Sequence, residues 1–157
     1  MGCSSDGSED APELSGPSFS FQIDEGGGTR TFSGTGCVFN STFTDVKDGE
    51  GNDTVLNTVL VVAQDPTTFE TITFAITREG EVKSGNHQIG SDIFSFYNAF
   101  LNYAKDVKKK NIDYQSDSGT ITFSTVSGGM VSGTVSIQAS GADGSASITG
   151  TFSAVSS

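Results

Sequence analysis

Asp45, Asp48, Glu50 and Asp53 fall within nine residues and are the set whose types and spacing most resemble a ligand shell. Carboxylate and main-chain oxygens on a Gly-rich turn suit a hard cation, calcium in particular. The stretch Gly49-Glu50-Gly51-Asn52-Asp53-Thr54-Val55 matches most of one calcium-binding nonapeptide, Gly-Gly-x-Gly-x-Asp-x-apolar, with Asp48 in place of the first glycine. That nonapeptide works in stacked tandem copies, and this chain holds one. A solvated acidic hairpin loop is therefore the plainer expectation, and no cofactor is expected beyond a loose calcium site.

His87 is the only histidine. Zinc centres draw on several His and Cys ligands, so one His and one distant Cys make a poor start. A Ser-His-Asp triad lacks its Gly-x-Ser-x-Gly elbow here, and His87 is expected at a strand end or on the surface. Acid pairs such as Asp24/Glu25 and Glu79/Glu81 could flank a glycosidic bond. With nineteen acids in the chain such pairs arise by chance, and both sit at expected turns. Sugar platforms on β-domains use exposed Trp or Tyr. Trp is absent, and on an extended strand Tyr97 and Tyr103 would share a face about 20 Å apart. The plainer expectation makes them core or rim aromatics. Lys105, Lys108, Lys109 and Lys110 form the one basic cluster, which reads as a solvated tip or helix end.

Cys3 heads a short polar run, Ser4-Ser5-Asp6-Gly7-Ser8-Glu9-Asp10, and this arrangement suits acylation. A cysteine at the start of a polar tether is where a mature bacterial lipoprotein carries its lipid. Met1-Gly2 then reads as a start placed before a mature sequence. Two rivals stand beside this reading. Myristoylation at Gly2 with palmitoylation at Cys3 is weakened by Asp6, where Ser or Thr is preferred. The other is a cysteine with no role at all. Cys37, within Gly36-Cys37-Val38-Phe39, is expected to be a small buried hydrophobe.

These residues must be held by one domain. Residues 1–17 read as a flexible acidic tether and 18–157 as a single β domain. The apolar fraction is only 34%, with twelve Phe and three Tyr, but the apolar residues are strictly patterned. Phe19, Phe21 and Ile23 alternate with polar residues, as do Ile72, Phe74 and Ile76, which is the period of half-buried strands. The run Val59-Leu60-Val61-Val62-Ala63 reads as a central strand. Residues 92–110 fit either period: Ile93, Phe96, Tyr97, Phe100, Leu101, Ala104 and Val107 recur at helical spacing, while Phe94, Phe96, Phe100 and Ala104 suit a strand. Periodicity alone slightly favours one helix in 92–110, and the β-rich surroundings pull toward a strand. The expected class is all-β, an antiparallel β-sandwich or flattened barrel of about 8–10 strands.

The formal charge of −11 argues against nucleic acid, since phosphate binding needs a basic face. Residues 1–53 carry ten carboxylates against Arg30 and Lys47, a net of −8, and such a surface repels anionic membranes. No run of about 18 apolar residues crosses a membrane, so membrane attachment is expected through a lipid on Cys3.

The closing strands, Ser118-Gly119-Thr120-Ile121-Thr122-Phe123, Ser132-Gly133-Thr134-Val135-Ser136-Ile137 and Ser147-Ile148-Thr149-Gly150-Thr151-Phe152, form an expected antiparallel meander. This pattern resembles small bacterial lipoproteins of the Bacteroidetes type. The Ser84-Gly85-Asn86-His87-Gln88-Ile89-Gly90 segment looks like their Gly-x-Tyr-x-Ile-Gly step, with His87 where an aromatic is usual. The resemblance covers roughly residues 55–155 and implies an extended segment before the Ser-Gly-Thr strand, and so a strand over 93–104. It brings no established activity. The expectation is a lipid-anchored, non-enzymatic extracytoplasmic binding or structural module. It would sit on the bacterial outer membrane or cell surface, or face the periplasm, with a protein or glycan partner. Its rivals are a barrel-type carrier of a small apolar ligand and a hydrolase using His87 or paired carboxylates.

Overall fold

Alternation of period two runs through almost every described segment, and the chain forms strands accordingly. The computed structural model describes residues 16–92, 97–105, 113–142 and 144–157. Cys3, most of the tether, residues 93–96 and Lys108, Lys109 and Lys110 lie outside these. The described strands are β1 (Ser18–Asp24), β2 (Thr29–Gly34), β3 (Cys37–Lys47), β4 (Asp53–Gln64), β5 (Thr71–Glu79), β6 (Gly85–Gln88), β7 (Gly90–Asp92), β8 (Tyr97–Ala104), β9 (Asp113–Ser127), β10 (Met130–Gly141) and β11 (Gly144–Ser156). The fold is all-β, and every described pairing but one is antiparallel.

The described strands number eleven, where the pattern predicts eight to ten. The weak strand expected over 82–89 accounts for much of the difference. Its chain bends at Ile89 and Gly90 (φ 136°), so β6 pairs with β9 while β7 continues onto β8. The helix alternative for 92–110 is corrected over Tyr97–Ala104, which is strand. Eight consecutive residue pairs with β5, from Thr71↔Ala104 to Arg78↔Tyr97, hold it extended.

Neighbouring strands follow the order β10-β9-β8-β5-β4-β3-β11-β1-β2, and β10 also pairs with β11. The ladder therefore closes as a ring, β3-β4-β5-β8-β9-β10-β11. Two seams of the ring are short: Asp113–Gln115 of β9 on β8, and a parallel contact of Val155 and Ser156 with Val38 and Phe39. Elsewhere β9 takes β6 and β11 takes β1 on the same edges. The result is a flattened barrel with two layers, β2-β1-β11-β10-β9-β6 over β3-β4-β5-β8-β7.

Every second residue of each layer points inward, which is how a chain of modest apolar content fills a core. Phe21, Ile23, Ile72, Phe74, Ile76, Ile121, Ile137 and Ile148 are fully buried. Phe74 of β5 meets Phe152 of β11 edge-on, ring centroids 4.8 Å apart, so the layers touch directly. Gly133 sits opposite both Phe123 and Phe152 in the ladder, leaving space for rings that lie 6.0 Å apart. A Cβ there would strike the Thr122 carbonyl. Cys37 is buried and unbridged, and burial raises its thiol to about 12. Native protein is expected to resist thiol-directed maleimide at Cys37 at neutral pH. Labelling should appear only on unfolding, and rapid native labelling would contradict its burial.

Candidate functional site

The acidic hairpin does not gather its four carboxylates. Asp48 turns its Oδ1 back on its own loop, accepting from the Glu50 and Asn52 main-chain N–H groups at 2.8 and 2.9 Å. Those donors hold its carboxyl below the usual range. Asp53 pairs with Lys47 Nζ at 2.5 Å, and Asp45 stands exposed on β3 opposite Val55. Among the described residues no three His, Cys, Asp or Glu side chains converge on a metal-sized point. The acid pairs part likewise. Asp24 accepts from Gly26 N–H at 2.8 Å, Glu79 takes the Thr54 hydroxyl at 2.5 Å, and Glu25 turns to Lys105 and Tyr114.

His87 is not at the surface. Its register opposite Ile121 points it into the core, 3% exposed, with its ring 5.2 Å from that of Phe123. Nε2 lies 2.9 Å from the Lys83 carbonyl, so that nitrogen carries the proton. No hydroxyl or carboxylate of the described residues bonds to the ring.

Tyr97 and Tyr103 share a face of β8 as expected, but it is the inner one. Tyr103 is fully buried and Tyr97 half-buried, its hydroxyl given to the Gln88 carbonyl at 2.8 Å. Neither ring is an open platform for sugars. Tyr103 instead belongs to a polar network at one end of the barrel that the sequence did not reveal. Its hydroxyl donates to Glu70 Oε2 at 2.5 Å, and Arg30 bonds both Glu70 (2.5 Å) and the Tyr103 oxygen. Glu25 accepts from Tyr114 at 2.7 Å and Lys105 at 3.1 Å, and lies 3.8 Å from Arg30 Nε. The Tyr103 and Tyr114 rings stack 5.7 Å apart. Burial first, then Glu70, raises the Tyr103 phenol, so it stays protonated. The network ties the β1–β2 hairpin to β5, β8 and β9 through side chains.

The outer faces differ in chemistry. Across β3, β4, β5 and β8 the register aligns Asn40, Leu60, Ala75 and Phe100 in one row, flanked by Val38, Val62, Thr73 and Asn102 and by Thr42, Thr58, Thr77 and Asn98. None of these twelve positions is charged. Phe100 is 42% exposed and Val38 36%, whereas Ala75 between Leu60 and Phe100 is covered. On the opposite face two rows cross six strands, Gln88-Thr120-Ser136-Thr149-Gln22-Thr31 and Asn86-Thr122-Thr134-Thr151-Ser20-Ser33. Every one of those side chains is a hydroxyl or an amide. The outward positions of each strand were readable from the alternation. Their alignment into rows was not, because register is a property of pairs of strands. No protein-family model, no curated protein and no solved structure matches this chain.

Proposed function

We propose that the chain is a non-enzymatic extracytoplasmic binding module, anchored by a lipid on Cys3 at the bacterial outer membrane or cell surface. A protein partner docks on the outer face of β3-β4-β5-β8. The observation that carries this reading is the uncharged row centred on Leu60, Ala75 and Phe100, edged by Val38 and Val62. Interfaces concentrate aromatic and apolar side chains at the centre, exclude charge there, and place uncharged polar groups at the rim. Covering a large apolar side chain of this kind stabilises a complex by about 1.5–3 kcal/mol. A net charge of −11 opposes self-association, so the partner is a different protein rather than a second copy. The resemblance to Bacteroidetes-type lipoproteins agrees with the anchor. The carrier reading draws no support from an interior where Phe74, Phe123 and Phe152 are in contact. The hydrolase reading draws none from a histidine bonded to a main-chain carbonyl.

The test has two arms in cells expressing the full precursor. Palmitate labelling is expected on the wild type and absent from Cys3→Ser; label persisting in that variant would remove the anchor. A photo-crosslinking amino acid at position 100 is expected to give discrete protein adducts, weakened ~10-fold by Leu60→Asp. The same probe at position 134 should give none. Equal adducts at both positions would refute the docking face.

A further inference from the structure

A second site of different chemistry lies at the opposite edge of the β5–β8 layer. Arg78, Asn86, His87, Gln88 and Tyr97 line a cleft there. Arg78 sits at the last inward-facing position of β5, opposite Tyr97, and its Nε is buried without a hydrogen-bond partner. The ion pairs of the described residues occupy Arg30, Lys47 and Lys105, and none reaches Arg78. Arg78 thus has no ion-pair partner among the described residues of a strongly acidic chain, and its buried Nε is a donor that water or a ligand would satisfy.

The strand facing Arg78 also offers donors. Ile89 N–H bonds the Gly119 carbonyl at 2.9 Å, so in the same register His87 and Ile121 are the hydrogen-bonded pair. Asn86 and Gln88 therefore turn their main-chain groups away from β9, toward the cleft. The Gln88 carbonyl is already taken by the Tyr97 hydroxyl, leaving the N–H groups. The side chains of Asn86 and Gln88 stand on the outer face, accepting from Thr122 at 2.8 Å and Thr120 at 3.2 Å, so the main-chain N–H groups are the donors the cleft receives.

We propose that this cleft binds a small monocarboxylate, its two oxygens shared between the Arg78 guanidinium and the main-chain N–H groups of Asn86 and Gln88. The planar guanidinium fork matches a carboxylate in bidentate geometry. A single positive charge in a protein of net −11 favours a monoanion over a phosphate dianion. This site is independent of the docking face, so either can fail alone.

Amide spectra of the whole domain titrated with sodium acetate and with glucuronate, against sodium chloride at equal ionic strength, test the site. Saturable shifts are expected at Asn86, Gln88 and Tyr97 with both carboxylates and not with chloride. Arg78→Gln should weaken binding at least ~10-fold, the scale of one lost charge-assisted hydrogen bond. Arg78→Lys, which keeps the charge and loses the fork, should fall between, and it serves if the glutamine variant unfolds. No saturable shift in the wild type would overturn the proposal, as would equal shifts with chloride or an unchanged affinity in both variants. Asp92→Asn supplies the last arm, since the main chain of Asp92 pairs with Tyr97. Acetate binding seen only in that variant would make the anion the chain's own and overturn an external ligand.

Discussion

Phe74→Ala should cost about 3–5 kcal/mol of folding stability, the scale of a large buried ring removed from a core that only partly collapses around the cavity. Phe74 is fully buried, flanked in the ladder by Val61 and Leu101, and its ring touches Phe152 across the two layers. Phe152 in turn contacts Phe123, so the void would open at the point where three strands of the upper layer meet the lower one. In a domain of this size the thermal midpoint should fall by roughly 10 °C. Phe43→Ala is the matched control, because Phe43 is 71% exposed and should change stability by no more than about 0.5 kcal/mol. Urea denaturation of both variants decides the matter. Equal losses would mean that the barrel interior is not organised around Phe74.

Glu70→Ala should be the next largest effect, about 2–4 kcal/mol, since it strands a buried phenol and a partly buried guanidinium together. Glu70 is 13% exposed and receives hydrogen bonds from both Tyr103 and Arg30. A double-mutant cycle of Glu70→Gln with Tyr103→Phe should show a coupling of at least about 0.5 kcal/mol. Strict additivity would mean that the hydroxyl and carboxylate do not stabilise one another. Glu25, at the same end, adds a pH signature. Burial alone would raise its carboxyl, but the Tyr114 hydroxyl, the Lys105 ammonium and the Arg30 guanidinium outweigh that and hold it below the usual carboxylate range. A folded-state value below the unfolded one contributes stability at neutral pH, and that contribution is lost as the pH falls through the folded value. Stability should therefore decline as the pH falls from the ordinary carboxylate value to the lower folded one, and Tyr114→Phe, by raising the folded value, should make that decline smaller. An acid decline of unchanged size in Tyr114→Phe would show that the hydroxyl does not hold the charge.

The residues of this barrel were legible in unequal degree. Phe19, Phe21 and Ile23, and likewise Ile72, Phe74 and Ile76, announce their buried face because alternation is a property of one strand alone. The three closing strands announced their meander, since their hairpins are local; Gly128-Gly129 closes one of them in two residues, with Gly128 at φ 56°. Residues 97–104 were ambiguous for the opposite reason. Their apolar positions satisfy both periods, and only the ladder with β5, some twenty residues away, selects the strand. His87 does lie near the end of a short strand, but its inward face was not readable, because a short strand between turns looks solvent-facing until its partner is known. The acidic hairpin looked like a ligand set because composition says nothing of where carboxylates point, and Asp48 points at its own turn.

The sequence by itself determined the all-β class and the inward set of each long strand, both of which follow from side-chain period along a single chain. Tertiary structure alone decided how the ladder closes, which outer residues align into rows, that Arg30 meets Glu70 across forty residues and that Arg78 has no ion-pair partner among the described residues. Each of these depends on register between strands distant in the chain. A shift of one residue in any register would reverse the faces while leaving every local pattern unchanged.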